Sequence, residues 1–188
     1  MSFRQWVLLR EGVIKTPVPK KSQEFTFSCG ASALRSVLHY FNINKTEEEI
    51  RKIAKTNKQY GTTTKNLIKA AKYFGLKAKQ QYNMREDELK SYLDEKKPVI
   101  VCFQAWGDKK YYKTKESGHY AVVIGYDENK VYFQDPLIKE KIRGHLSWEK
   151  FIKRWHDVGN HDRYGIILWK EKSRKNKKEI IKRSKEIK

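Results

Sequence analysis

Four residues carry the chemistry this chain could perform: Gln23, Cys29, His119 and Asp135. Cys29 opens a run in which Leu34, Val37, Leu38 and Phe41 recur at helical spacing, so the spacing predicts a helix that starts at the cysteine. A thiol at a helix start feels the positive end of the helix dipole, which favours thiolate and lowers its pKa. A lone cysteine in such a place is commonly just a small buried residue, and a lone glutamine is commonly a surface one. The combination is what argues for chemistry. Gln23 precedes the cysteine by six residues, and a segment of that length can fold back and set an amide N–H beside the nucleophile. With the Cys29 backbone N–H, it would form a two-donor oxyanion hole. His119 follows Gly118, whose missing side chain leaves room for a substrate backbone to pass. A nucleophilic thiol needs a base that also protonates the leaving group, and that base needs an orienting acceptor. Cys29, His119 and Asp135 supply these roles in order.

The last two must be brought together by strands. Tyr120–Tyr126 and Val131–Asp135 are β-branched or aromatic runs on either side of a turn. A hairpin centred on Asp127 would put His119 opposite Asp135, Ala121 opposite Phe133 and Val123 opposite Val131. All six would then share one face, because side chains alternate with period two. That register requires a three- or five-residue loop.

The remaining elements follow from local signals. Thr46 with Glu49 three residues later is a capping box opening a second helix with Ile50 and Ile53. Thr62 or Thr63 caps a third, carrying Leu67, Ala71 and Phe74 and stopped by Gly75. Asn83 and Glu86 introduce a fourth through Leu89 and Leu93, ending before Pro98, and Ser147 starts one more with Trp148, Phe151 and Trp155 on one face. Val99–Phe103 and Tyr164–Trp169 complete the strands. Helices therefore come first and strands afterwards, an α+β pattern with a helical lobe followed by an antiparallel sheet lobe. The first 25 residues read as an irregular lead-in.

The 188 residues allow one domain, 1–169, with a basic tail over 170–188 that holds ten Lys/Arg against three Glu and is expected to be disordered or a frayed helix. Two cysteines exclude a disulfide-stapled scaffold and a four-cysteine zinc site, and Cys102 in the run Val99–Phe103 reads as a core thiol. No apolar run approaches the roughly 18–20 residues of a membrane span, and no secretory signal is visible, so a cytoplasmic protein is expected. His156 and His161 with Asp157 and Asp162 have no spacing that fixes them as ligands. No metal or cofactor is expected. The net charge of +20 suggests salt-sensitive attraction to an anionic surface, membrane or nucleic acid, through the tail. Trp106, Tyr111 and Tyr112, just before Gly118 and His119, are candidates for a wall of a substrate groove.

Taken together, Gln23-x5-Cys29-Gly30-Ala31, Gly118-His119-Tyr120-Ala121-Val122-Val123 and Asp135-Pro136 resemble the C39 peptidase family of bacteriocin-processing domains. Gly61-Thr62-Thr63, Lys97-Pro98-Val99-Ile100 and Phe151-x3-Trp155 add to the likeness, which runs from about Val18 to Trp169. The resemblance implies a papain-like fold, with Gln23 as oxyanion residue, Cys29 as nucleophile, His119 as general base and Asp135 as its orienter. It also implies a peptide or protein substrate, cleavage of a leader after a double glycine, and a separate ABC transporter as partner. Many members carry Asp immediately before the cysteine where this chain has Ser28, which can still cap the helix. Two alternatives stand beside a cysteine endopeptidase: an amide-bond or acyl transferase on the same scaffold, and a non-catalytic basic binding module.

Overall fold

The structure is a computed structural model and describes residues 13–105, 118–139, 142–156 and 162–171. The groove candidates Trp106, Tyr111 and Tyr112, together with His161, Asp157 and residues 172–188 of the basic tail, lie outside these ranges.

In chain order the elements are α1 (Cys29–Tyr40), α2 (Glu47–Ile53), α3 (Thr64–Tyr73), β1 (Lys77–Gln81), α4 (Glu86–Asp94) and β2 (Val99–Gln104). They continue with β3 (Gly118–Tyr126), β4 (Lys130–Gln134), β5 (Gly144–Ser147), α5 (Trp148–Arg154) and β6 (Gly165–Trp169). Local signals set most boundaries. Thr46 and Glu49 form both halves of the capping box on α2, and the Thr63 hydroxyl accepts from Asn66 N–H at the start of α3. Gly75, with φ +88°, takes the left-handed backbone that stops α3. Ser147 caps α5 through Lys150 N–H.

The six strands form one sheet in the order β1-β6-β2-β3-β4-β5, with every pair antiparallel. Its two faces bury separate cores. Ile100, Val122, Ile124, Ile166 and Leu168 meet Leu34, Val37, Leu38, Ile50 and Leu67 of α1–α3. On the other face Val101, Phe103, Ala121, Val123 and Phe133 meet Leu89 and Leu93 of α4 and Trp148 and Phe151 of α5. The helices after the first three thus cross to the second face, so the sheet is a middle layer. β1 also departs from the expected helices-then-strands order, because it falls between α3 and α4. Its sequence, Lys-Ala-Lys-Gln-Gln, carries no strand signal; it is an edge strand whose Ala78 alone packs on the core.

The lead-in is docked rather than loose. Ile14 bridges Gly125, Tyr126 N–H donates to Val13 O at 2.9 Å, and Val18 is fully buried. This crossing depends on Gly125, since a Cβ there would sit 2.1 Å from Val13 O, a separation side chains do not adopt. Gly125→Ala must push the lead-in off the sheet, and overpacking of this kind costs about 1–3 kcal/mol. We expect the upper end, read as a melting temperature lower by roughly 6–9 °C for a domain of this size. An unchanged melting temperature would show that the lead-in contributes nothing.

Candidate active site

α1 and the sheet deliver the candidate residues to one place. Cys29 is the first residue of α1, and α1 lies against β3, which carries His119 as its second residue. Gly30 makes that close approach possible. A Cβ there would stand 3.0 Å from Thr62 Cβ and 3.2 Å from the Tyr120 ring. Thr62 and Tyr120 are themselves fixed, by hydrogen bonds to Thr56 and Thr64 at 2.7 Å each.

His119 is 1% exposed, and its Nε2 lies 2.7 Å from Asp135 Oδ1. Nε2 is thereby committed to the carboxylate, which leaves Nδ1 as the nitrogen for the Cys29 thiol, with which the imidazole also hydrogen-bonds. Asp135 sits one residue beyond β4, and its Oδ1 also accepts from Leu137 N–H at 2.8 Å.

The pairing that brings His119 to Asp135 is not the expected one. β3 and β4 align Val122 with Gln134 and Val123 with Phe133, then shift through a bulge to align Gly125 with Tyr132 and Tyr126 with Val131. The turn over residues 127–129, with Asp127 N–H donating to Lys130 O at 2.9 Å, is centred between Glu128 and Asn129 rather than on Asp127. Relative to the expected register the strands slip by two beside the site. A slip of two preserves the face, so Ala121, Val123, Val131 and Phe133 still lie together. His119 reaches Asp135 diagonally, within the span long side chains cover.

The electrostatics couple the three groups. Burial pushes the Cys29 thiol up, but the hydrogen bond and charge of His119 and the N–H groups of Tyr120 and Gly30 outweigh it, and its pKa falls below the ordinary value. Burial alone would lower His119; its hydrogen bonds to Asp135 and Cys29 and their charges raise it to about 9. Asp135, although burial opposes it, is held below the usual carboxylate range by His119. Each group therefore favours the charged form of its neighbour.

Gln23 lies on the approach to α1. Its backbone N–H donates to Pro136 O at 2.9 Å, which ties it to the segment carrying Asp135, and its Nε2 donates to Phe25 O at 2.7 Å. Its Oε1 is buried without a partner among the described residues. Two residues not singled out in the sequence steady the same segment. Buried Gln134 donates to Lys21 O at 3.2 Å, and Arg143 donates to Gln134 Oε1 and, at 2.8 Å, to Val18 O. A buried polar run at a strand end was the only available signal for them. Ser28 does not cap α1 as expected: its Oγ donates to Phe25 O at 2.9 Å and accepts from Phe25 N–H at 3.1 Å. Gly118 begins β3 and is exposed opposite Gln104. Cys102 is buried against α1–α3, as a core thiol.

Residues 15–162 match the profile described as the Peptidase_C39 like family. An uncharacterised protein of Methanothermobacter thermautotrophicus is 32% identical over 116 residues, 62% of this chain and 70% of that one. The pediocin PA-1 transport/processing ATP-binding protein PedD of Pediococcus acidilactici is 31% identical over 130 residues, 69% of this chain but only 16% of PedD. Among solved structures, the peptidase domain of Streptococcus ComA, a bifunctional ABC transporter involved in quorum sensing, superposes with a TM-score of 0.62 at 29% identity. That match covers 80% of this chain and 97% of the domain. The α+β fold with its antiparallel sheet is accordingly the papain-like fold of C39 peptidase domains, and this chain belongs to the Peptidase_C39 like family.

Proposed function

We propose that this protein is a cysteine endopeptidase that cleaves an extended peptide through a thioester acyl-enzyme. The observation that carries the reading is the relay Cys29–His119–Asp135, with His119 buried and held at 2.7 Å by Asp135 while its other ring nitrogen meets the thiol. The Cys29 sulfur attacks the scissile carbonyl, forming the S–C bond as the carbonyl π pair moves onto oxygen. The Cys29 N–H and the second N–H of the Gln23 amide receive that oxyanion. One N–H of the Gln23 amide is held by Phe25 O at 2.7 Å, which leaves its other N–H for this role. His119 gives its proton to the departing amine, breaking the C–N bond. It then takes one from water, which displaces sulfur and frees the carboxylate product.

The substrate class follows from the relatives. One solved relative is described as a double glycine motif protease from a transporter in complex with a leader peptide, and PedD is a transport/processing protein. A leader peptide ending in Gly-Gly, delivered to a transporter, is therefore the substrate we assign to this chain. Incubating the protein with such a peptide in ¹⁸O-water should give one cut after the second glycine, with label in the new carboxyl group. Cleavage without label, or amide formation with an added amine, would instead make the protein a transferase.

The pH dependence follows from the relay. Turnover needs His119 protonated to release the amine, so kcat/KM should fall above the imidazolium pKa of about 9. Asp135 is one of the groups that raise this pKa, so in Asp135→Asn the alkaline limb should move to lower pH. Activity at pH 8 should fall by about 10–100-fold. An alkaline limb that stays where it was would remove Asp135 from the relay.

A further inference from the structure

Glu47 is a buried carboxylate that the relay does not use. It is the first residue of α2, beside the exposed Glu48 and Glu49, yet it is 0% exposed. Both of its oxygens lie 3.2 Å from Glu24 N–H, and the Ser28 hydroxyl, whose one proton it shares with Phe25 O, acts on it as well. Glu24 directly follows Gln23, and Ser28 directly precedes Cys29. One carboxylate on a separate helix therefore grips both flanks of the loop between the oxyanion amide and the nucleophile. Arg35 of α1 and Glu24 are the charged groups that act on it, and they pair with each other at 3.5 Å. Burial is the main cause of a Glu47 pKa above the usual value. Taking a carboxylate out of water is costly unless N–H and O–H donors meet it, and this one is met by donors from the loop itself.

We propose that Glu47 is a positioning residue for the oxyanion loop, holding it from α2 through the Glu24 N–H. The inference rests on the peptidase reading above. Glu47 is not among the groups that act on Cys29 or His119. The groups acting on the thiol are His119, Tyr120 N–H and Gly30 N–H. Its removal should therefore disturb the oxyanion hole and spare the thiolate.

Two probes on the full chain separate these effects. Iodoacetamide needs only the thiolate. A peptide aldehyde ending in Gly-Gly adds the Cys29 sulfur to its carbonyl carbon, and the carbonyl oxygen takes the π pair and a proton in the oxyanion hole. Glu47→Leu should alkylate at Cys29 within about threefold of wild type. It should bind the aldehyde at least about tenfold more weakly, less than the loss on deleting an oxyanion donor because the donor is displaced rather than removed. Undiminished aldehyde binding in Glu47→Leu, or a parallel loss of alkylation and aldehyde binding, would overturn the proposal. If Glu47→Leu does not fold, Glu47→Gln keeps the shape and removes the charge. It should weaken the aldehyde severalfold with alkylation intact, and equality with wild type would be contrary. A wild-type protein that neither alkylates faster than a free thiol nor takes up the aldehyde would remove the peptidase reading instead.

Discussion

Cys29→Ala is expected to fold normally and to lose cleavage of a Gly-Gly leader peptide by about 10⁵-fold or more, leaving at most the slow background that binding and oxyanion donors alone sustain. The size of the loss follows from the sulfur's role: it makes and breaks the only covalent bonds the protein forms. Cys102 cannot replace it, because it faces the core under α1–α3. The thiol accounts for little of the packing of α1, whose apolar contacts come from Leu34, Val37 and Leu38. Peptide cleavage followed by mass spectrometry, with a thermal melt as control, checks this. Cleavage by Cys29→Ala within tenfold of wild type would put the chemistry elsewhere.

His119→Ala should be nearly as damaging to turnover, since members of a catalytic unit fail together rather than additively. It should also alter the thiol itself. Burial is the largest influence on Cys29 and acts upward; His119 is what reverses it. Without the imidazole, burial should push the thiol pKa above its ordinary value. The thiolate fraction near pH 6.5 then falls below about 1%, and alkylation slows by roughly 100-fold. Stopped alkylation assays across pH read this directly. An unchanged rate would show that the helix start, not His119, sets the thiol's charge.

These results would test residues that the sequence already singled out, and the reasons for that legibility are local. Capping signals at Thr46, Thr63 and Ser147 act within four residues, so they survive in any tertiary context. The shared face of His119, Ala121, Phe133 and Asp135 also followed from a period of two. The register did not, because the bulge between Val123 and Gly125 lies where the lead-in crosses at Gly125, a contact between segments more than 100 residues apart. β1 was invisible for a related reason: Lys77–Gln81 becomes a strand by pairing with β6, not by its own composition. Glu47 was hidden among three consecutive glutamates at the start of α2, where the spacing from Thr46 marks Glu49 as the capping residue but nothing local tells the exposed Glu48 from the buried Glu47.

The central claim is that Cys29 rests as a thiolate paired with the His119 imidazolium. The most direct measurement is the pH dependence of iodoacetamide alkylation at each cysteine of the folded protein, resolved by peptide mapping. Cys29 should react fast at about pH 6–7, well below the ordinary thiol pKa of about 8.5, while Cys102 stays unlabelled until the protein unfolds. Equal labelling of the two cysteines, or a Cys29 rate that rises only above about pH 8.5, would contradict the account.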